Sequence, residues 1–575
     1  MGPNTAAWET TILRAYQTWA VNANINIGLV SDSGDSFTAG GAIQGDPRFG
    51  DIRIGAAPLT TTVLANTSPF DEFSAGSRFV FNPNYCFNLG GTNGAYDLFT
   101  VALHEAGHSF GFADNSDPTS ALYNTYSGLP SVLSANDIAA LQNLYGPRQL
   151  DQYAGAATPN NSMATAANLP LNGTIAGDIS SNGQNEWFKF STPLLSITPT
   201  TLEFRTSGVS LLTADVTVYN GAGHVVAAGQ STDPLNGNLQ LTLPGLLLPT
   251  TYYIQVKSAR SDVFGIGSYQ MRVANDSLLD ISNFFAGLVN SYEPPNTDAL
   301  NLNGSQSTAA PLYSSRPTAD RQLDVLQAGQ MENSSDVDWY SIAALPYAAG
   351  TNSETMLVSM WGINHATLAP AVNVYNSAGQ QIEVNVLTKD DYSCVLQLVN
   401  AVPGTKYYMR VSSDQGKTGD YRLAVNFQTT SVTVPVGPKG TLDSTTATAA
   451  YAWTLSNGGY MHFALSSYGS TSSSDGVSMT IYDSNGNIVT TLSAASGNNR
   501  STDLYLAAGN YKIVFRRTGA GTSPLNFELD IFRTSDPVGI TSTSASSPDS
   551  QDQTWSPDSG SYSASSSSSS QPTYY

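Results

Sequence analysis

The stretch LHEAGHSFGFADNSD, residues 103–117, places His104 and His108 four positions apart with Glu105 after the first. On a helix, positions four apart share a face about one turn from each other. Two imidazole nitrogens so placed can reach one Zn²⁺ at about 2.0–2.1 Å. Glu105 can reach a water at the metal without being a ligand. Gly111 suits the left-handed backbone with which helices commonly end, and the following turn brings Asp114 toward the metal from a third side. The chain holds five histidines, and the other three, His224, His365 and His462, lie far downstream. Asp114 is therefore the economical third ligand, since a carboxylate binds zinc competently. Asp117 lies beyond the tight turn and is a poorer candidate. The bland alternative is a helix with two solvated histidines; Gly111 and Asp114 at this spacing argue against it.

With zinc bound, the pKa of a water beside it falls toward about 7. A carboxylate within reach of such a water is placed for hydrolytic chemistry. Composition sets the frame around it. A length of 575 residues exceeds one ordinary core and implies several domains. Only 12% of residues are charged, and the net charge of −21 disfavours nucleic acid, which needs clustered Lys and Arg. The sequence pI is about 4.4. Cys86 and Cys394 stand far apart, give no disulfide framework and read as two lone thiols. No apolar run is long enough to span a bilayer. The N-terminus shows neither the basic nor the apolar region of a signal peptide.

Several elements must position the motif. Trp8, Ile12, Leu13, Tyr16, Trp19 and Ala20 recur at helical spacing, which predicts a helix over 6–20. INIGLV (25–30), DIRIG (51–55) and RFVFN (78–82) read as strands, and a helix carrying the motif should begin near Tyr96. Ser134 and Asp137 form a capping box for a helix ending near Gly146. The order is that of a mixed α/β domain. After Arg148 short alternating runs take over, and one pattern recurs. VTVYNGAGHVV from Val216, VNVYNSAGQQI from Val372 and MTIYDSNGNIV from Met479 each read as a hairpin, followed by YYIQV, YYMRV and YKIVF. EWFKFS from Glu186, DWYSIA from Asp338 and YMHFAL from Tyr460 read as a preceding strand. A repeat of this length predicts tandem antiparallel sandwiches. The expected divisions are 1–148 for the metal-binding domain, 149–275, 294–428 and 429–535 for three β-sandwiches, and 536–575 for a Ser-rich disordered tail. The fold class is thus multidomain: an α/β (α+β) domain, three all-β sandwiches, a tail.

YDLFTVALHEAGHSFGF resembles the active-site helix of matrixin metallopeptidases within the metzincins. SALYNTYSGLPSVLSANDIAALQNLYG resembles their Met-turn and last helix, GDIRIG their third strand, and VLANTSPF (63–70) the edge strand above the cleft. The resemblance spans residues 6–146. It implies His104 and His108 as zinc ligands, Glu105 as general base and Asp114 at the third ligand, where most matrixins have His and the similar snapalysins have Asp. It puts Leu122 at the Met-turn methionine and Asn66 where animal matrixins bind a second zinc, so one catalytic zinc is expected. It implies that an extended polypeptide lies along Val63, Leu64, Ala65 and Asn66 as an added strand, with preference set by the loop between Tyr123 and Leu133. The family's inhibitory cysteine lies upstream of its catalytic domain, so Cys86 does not take that role. Matrixins begin with a strand before the first helix, and that strand is expected before Met1.

The repeats resemble bacterial pre-peptidase C-terminal domains, accessory modules of secreted peptidases, most closely at DVDWYS. Calcium is a further candidate at Asp336 and Asp338, or at Asp32, Asp35, Asp46 and Asp51, where solvated loop carboxylates are the simpler reading. The expected protein is a secreted or surface bacterial zinc endopeptidase, acting on polypeptides without a nucleic-acid partner. The alternative is a surface adhesive or structural protein with a vestigial zincin.

Overall fold

A computed structural model describes residues 5–32, 50–59, 61–68, 77–90, 95–128, 132–192, 200–243, 249–274, 303–312, 325–344, 354–362, 368–391, 393–428, 436–455, 458–470, 472, 474–533, 536–539 and 553–557. The first region holds helices α1 (Thr5–Ala20), α2 (Leu98–Ser109) and α3 (Ala135–Tyr145) and strands β1 (Ile52–Ala56), β2 (Val63–Ser68), β3 (Ser77–Phe81), β4 (Phe87–Asn88) and β5 (Tyr96–Asp97). β1 runs parallel to β3, and β2 antiparallel to it. The periodic face of α1 supplies Ala15, Tyr16 and Trp19 to a core shared with Leu64 and Phe79 of the sheet and Leu103 and Ala106 of α2. The helix expected from Tyr96 starts two residues later, because Tyr96–Asp97 pairs with β4 and Asp97 then caps the helix.

Residues 25–30 form no ladder. Their polar groups are taken by other partners: Arg148 donates to the Ile25 carbonyl (3.0 Å) and to Asn26 (3.1 Å), and Asn26 bonds Ser268 (2.8 Å). Gly28 lies so close to the Gly208 backbone that a Cβ there would stand 2.5 Å from its carbonyl carbon. Alternation alone could not show that this segment docks on the next domain instead of joining a sheet.

Downstream lie three pairs of four- and five-stranded sheets, largely antiparallel, each pair around its own apolar core. The pairings correct the alignment of the third copy. Asn185–Ser191 and Asp338–Ala343 pair with Thr251–Ser258 and Lys406–Ser413. Their counterpart is Thr448–Leu455, which pairs with Gly509–Thr518. YMHFAL belongs to Gly459–Tyr468, in the opposite sheet. Both strands alternate with period two, so only the partner distinguishes them.

Two parts of the expected tail are strands. Gln553–Pro557 pairs with Thr448–Leu455, and Asp536–Gly539 pairs with β2. The segments are short and polar in sequence; each adds to the edge of a sheet that already exists. Among the described residues no helix is long and apolar enough to cross a membrane.

Candidate metal centre

α2 is set by its ends. The Asp97 carboxylate accepts from Thr100 N (2.9 Å) and Thr100 Oγ1 (2.7 Å), satisfying amides that have no helical partner. Phe110 ends the helix, and Gly111 at φ +90° turns the chain back, a conformation that favours glycine. Every residue of α2 is buried. Gly107, beside His108, has no room for a side chain: a Cβ would lie 2.6 Å from Leu122 Cδ2 and 2.8 Å from Trp19 Cζ2.

The two imidazoles are held by backbone carbonyls. His104 Nδ1 lies 3.0 Å from Ala121 O, and His108 Nδ1 lies 2.7 Å from Phe112 O. A ring nitrogen facing a carbonyl must carry the hydrogen, which leaves each neutral ring a lone pair on Nε2. These Nε2 atoms are 2.9 Å apart, and Asp114 Oδ1 stands 3.2 and 3.4 Å from them. Three acceptors aimed at one buried point repel unless positive charge lies among them. Ligand atoms of a tetrahedral zinc at about 2.0–2.1 Å stand about 3.3–3.5 Å apart; the two Asp114 spacings come close to this, and the two imidazoles would have to part by about 0.4 Å to hold a single Zn²⁺ in that geometry. Burial pushes the Asp114 carboxyl up, and only positive charge beside it, on protonated imidazoles, brings it well below the usual carboxylate range; with both rings neutral, a cation has to supply that charge. Glu105 is fully buried next to them. Burial raises its pKa above the ordinary carboxylate range. Among the described residues this is the grouping of three metal-capable side chains.

A further layer fixes the rings, and sequence reading saw only part of it. Asp137 closes the expected capping box with Ser134. Its carboxylate also accepts from Ser120 Oγ (2.5 Å) and Ala121 N (3.0 Å), and so fixes the peptide whose carbonyl orients His104. Such an outer partner sets tautomer and ring direction. Its only sequence signal was the cap. Leu122 is buried against Gly107 and forms an apolar floor below α2. Trp19 donates to Leu103 O (2.8 Å) and stacks on Phe112 at 5.7 Å, steadying the turn that holds His108.

The other expected residues fall as follows. Val63, Leu64, Ala65 and Asn66 lie on β2, at the side of the sheet beside α2. Tyr123 is half-buried and bridges to Asn115; residues 129–131 of its loop lie outside the described residues. Asp117 is half-buried and accepts from Thr119 N at 2.9 Å, outside the group of His104, His108 and Asp114. Asp32 makes a two-point pair with Arg53 (2.8 and 3.1 Å), Asp51 is exposed, and Asp35 and Asp46 lie outside the described residues. Asp336 caps a turn through Glu332 N and Val337 N, and Asp338 is buried and accepts from Tyr421 Oη at 2.7 Å. Neither carboxylate belongs to a metal-capable group of three among the described residues. Cys86 is exposed and Cys394 buried, both as free thiols. His224 is exposed, His462 is buried between Asp503 and Leu387 O, and His365 lies outside the described residues.

Comparison with known proteins places this geometry. Residues 5–146 match the model of the Matrixin peptidase family. Matrix metalloproteinase-18 of Xenopus laevis is 32% identical over 161 residues, 26% of this chain and 32% of that protein. Interstitial collagenase A of Mus musculus is 30% identical over 138 residues, 22% of the chain and 28% of that protein. Matrilysin of Rattus norvegicus is 43% identical over 71 residues, covering 12% and 26%. The chain thus spans a third or less of the length of these relatives. The C-terminal β-rich region lies outside the family match.

Proposed function

We propose that residues 5–146 are a zinc-dependent endopeptidase, a reading that starts from their match to the Matrixin family. The observation that carries it is the convergence of His104 Nε2, His108 Nε2 and Asp114 Oδ1 on one point, with Glu105 buried beside them. His104, His108 and Asp114 would hold Zn²⁺, which when bound supplies a Lewis acid and lowers the pKa of a nearby water. Glu105 takes a proton from that water and delivers it to the leaving amine. Its carboxylate, buried and flanked by the ligands, keeps the proton out of bulk solvent. β2 orients an extended polypeptide by main-chain pairing. One catalytic zinc is expected, since Asn66 stands where animal matrixins offer a histidine to a second. A vestigial zincin is the less favoured reading, since His104, His108 and Asp114 lie together with Glu105 beside them.

The three sheet pairs are read as accessory modules that bind or locate substrate, and the protein as a secreted or surface peptidase of a bacterium. Repeated strands resembling pre-peptidase C-terminal domains support that reading, and the low charged fraction of 12% is in keeping with it.

Zinc content and cleavage of a denatured protein, before and after chelation, test the core of the proposal. One zinc per chain and loss of cleavage on chelation are expected. Glu105→Gln should keep the zinc and lower cleavage at least about 100-fold; a variant that cleaves at the wild-type rate excludes Glu105 as the base.

A further inference from the structure

β2, the strand along which an extended substrate would lie, already has a neighbour. Asp536–Gly539 pairs with it antiparallel: Asp536 opposite Thr67, Pro537 opposite Asn66, Val538 opposite Ala65 and Gly539 opposite Val63. The sheet order is β1, β3, β2, then this strand, so it takes the outer position on β2, and it runs beside α2. An edge strand ordinarily leaves a row of N–H and C=O groups open to another chain. Here all of Val63–Ser68 is buried, as are His104, Glu105 and His108. Pro537 suits an outermost strand, since proline cannot donate to a ladder and is confined to edges.

The last sandwich delivers this segment to its place. Tyr460 and Tyr505 pack against Leu59, Val63 and Val80 of the first region. Arg533, at the end of the strand Leu525–Arg533, pairs with Met461, the neighbour of Tyr460. Asp536 follows three residues later. A four-residue strand binds weakly by itself, but a short tether raises its effective concentration to roughly millimolar.

We propose that Asp536–Gly539 is the resident occupant of the substrate edge, and that the full chain keeps only a low basal activity, a partial latency, until this strand leaves β2. Latency rests on the reading of residues 5–146 as a peptidase. Substrate and segment compete for the same amides and carbonyls of β2, so no separate inhibitory site is needed.

The test uses the zinc-loaded full chain, a Val538→Pro/Gly539→Pro variant that removes two strand amides, and a deletion of residues 536–539. Two quantities are read: amide exchange of Val63–Ser68, and kcat/KM on a short chromogenic peptide. Zinc retention checks that the first region stays folded. The expected result is lost amide protection and at least a tenfold rise in kcat/KM in both variants. Wild-type β2 amides that already exchange as an open edge would overturn the proposal. So would protection that survives the deletion, since something else would then cover β2. Lost protection with no gain over an active wild type refutes latency. Lost protection with no cleavage by any of the three proteins keeps the occupant and sinks the peptidase reading instead.

Discussion

The acids buried around α2 and those buried in the sandwiches keep different company. Asp114 and Glu105 face two imidazoles whose hydrogens are committed to carbonyls, and three acceptors meet at one point. Glu186 and Asp338 occupy matching places in the first two sandwiches, and each receives a tyrosine hydroxyl, from Tyr269 and Tyr421. The tyrosines cross the core because glycines face them. A Cβ at Gly177 would stand 2.4 Å from Tyr269 Oη, and one at Gly329 would stand 2.3 Å from Tyr421 Oη. In the third sandwich Gly440 still faces an aromatic ring, but it is Phe527, and pairing puts Ala449 at the position of the acid. Acid and hydroxyl are absent together, as expected if each is costly without the other. A buried acid with an internal donor is a structural device; buried acceptors that converge without one mark a place for a cation.

The contrast breaks most sharply at Asp114. Asp114→Ala removes one of the three proposed ligands and should weaken zinc binding by at least about 100-fold, while Asp117→Ala should leave it unchanged. Competition with a chromogenic chelator measures both. Wild-type affinity in Asp114→Ala would remove the residue from the centre.

The next effect is on stability. Burial, aided by Asp151 and Asp178, pushes the Glu186 carboxyl up to about 8, although Tyr269 opposes the shift. The folded state therefore binds more protons than the unfolded state between the ordinary carboxyl range and about pH 8. Stability contributed by protonated Glu186 is complete below about pH 4.5 and is lost as pH rises through the folded pKa. Urea unfolding of the full chain, followed by a probe in the first sandwich, should show a loss of a few kcal/mol from about pH 5 to 8. Glu186→Gln should flatten that slope; an unchanged slope would show that Glu186 is ionised in the fold.

The smallest effect sharpens the comparison within the repeats. Tyr421→Phe removes a donor from buried Asp338 and should cost about 1–3 kcal/mol. The double variant Tyr421→Phe/Asp338→Ala copies the third sandwich and should cost less than the sum of its single changes. Simple additivity in denaturant melts would mean that the pair does not act as a unit.

How much of this was legible depended on how local each signal is. The ligand helix, its glycine exit and the α3 cap are written within a few residues, and their chemistry could be read before any fold. The support from Asp137 to His104 joins residues far apart, so the cap was visible and its second use was not. INIGLV carried a strand's alternation, but a register needs a partner, and Arg148 and Ser268 took its polar groups instead. The third sandwich was misaligned for the same reason, because YMHFAL and TAAYAWTL both alternate. The C-terminal strands lack an apolar pattern of their own and could be recognised only from the edges they join.

The pairing of Asp536–Gly539 with β2 also fixes an order of events in time. Three sandwiches separate the two strands along the chain. During synthesis the first region emerges first, and domains generally fold as units in that order. Its outer edge is therefore bare until residues 536–539 have been made. The earliest folded form and the finished chain thus differ in which surface they present. A chain ending before residue 536 would meet its surroundings with the outer side of β2 open, and a longer one with it paired.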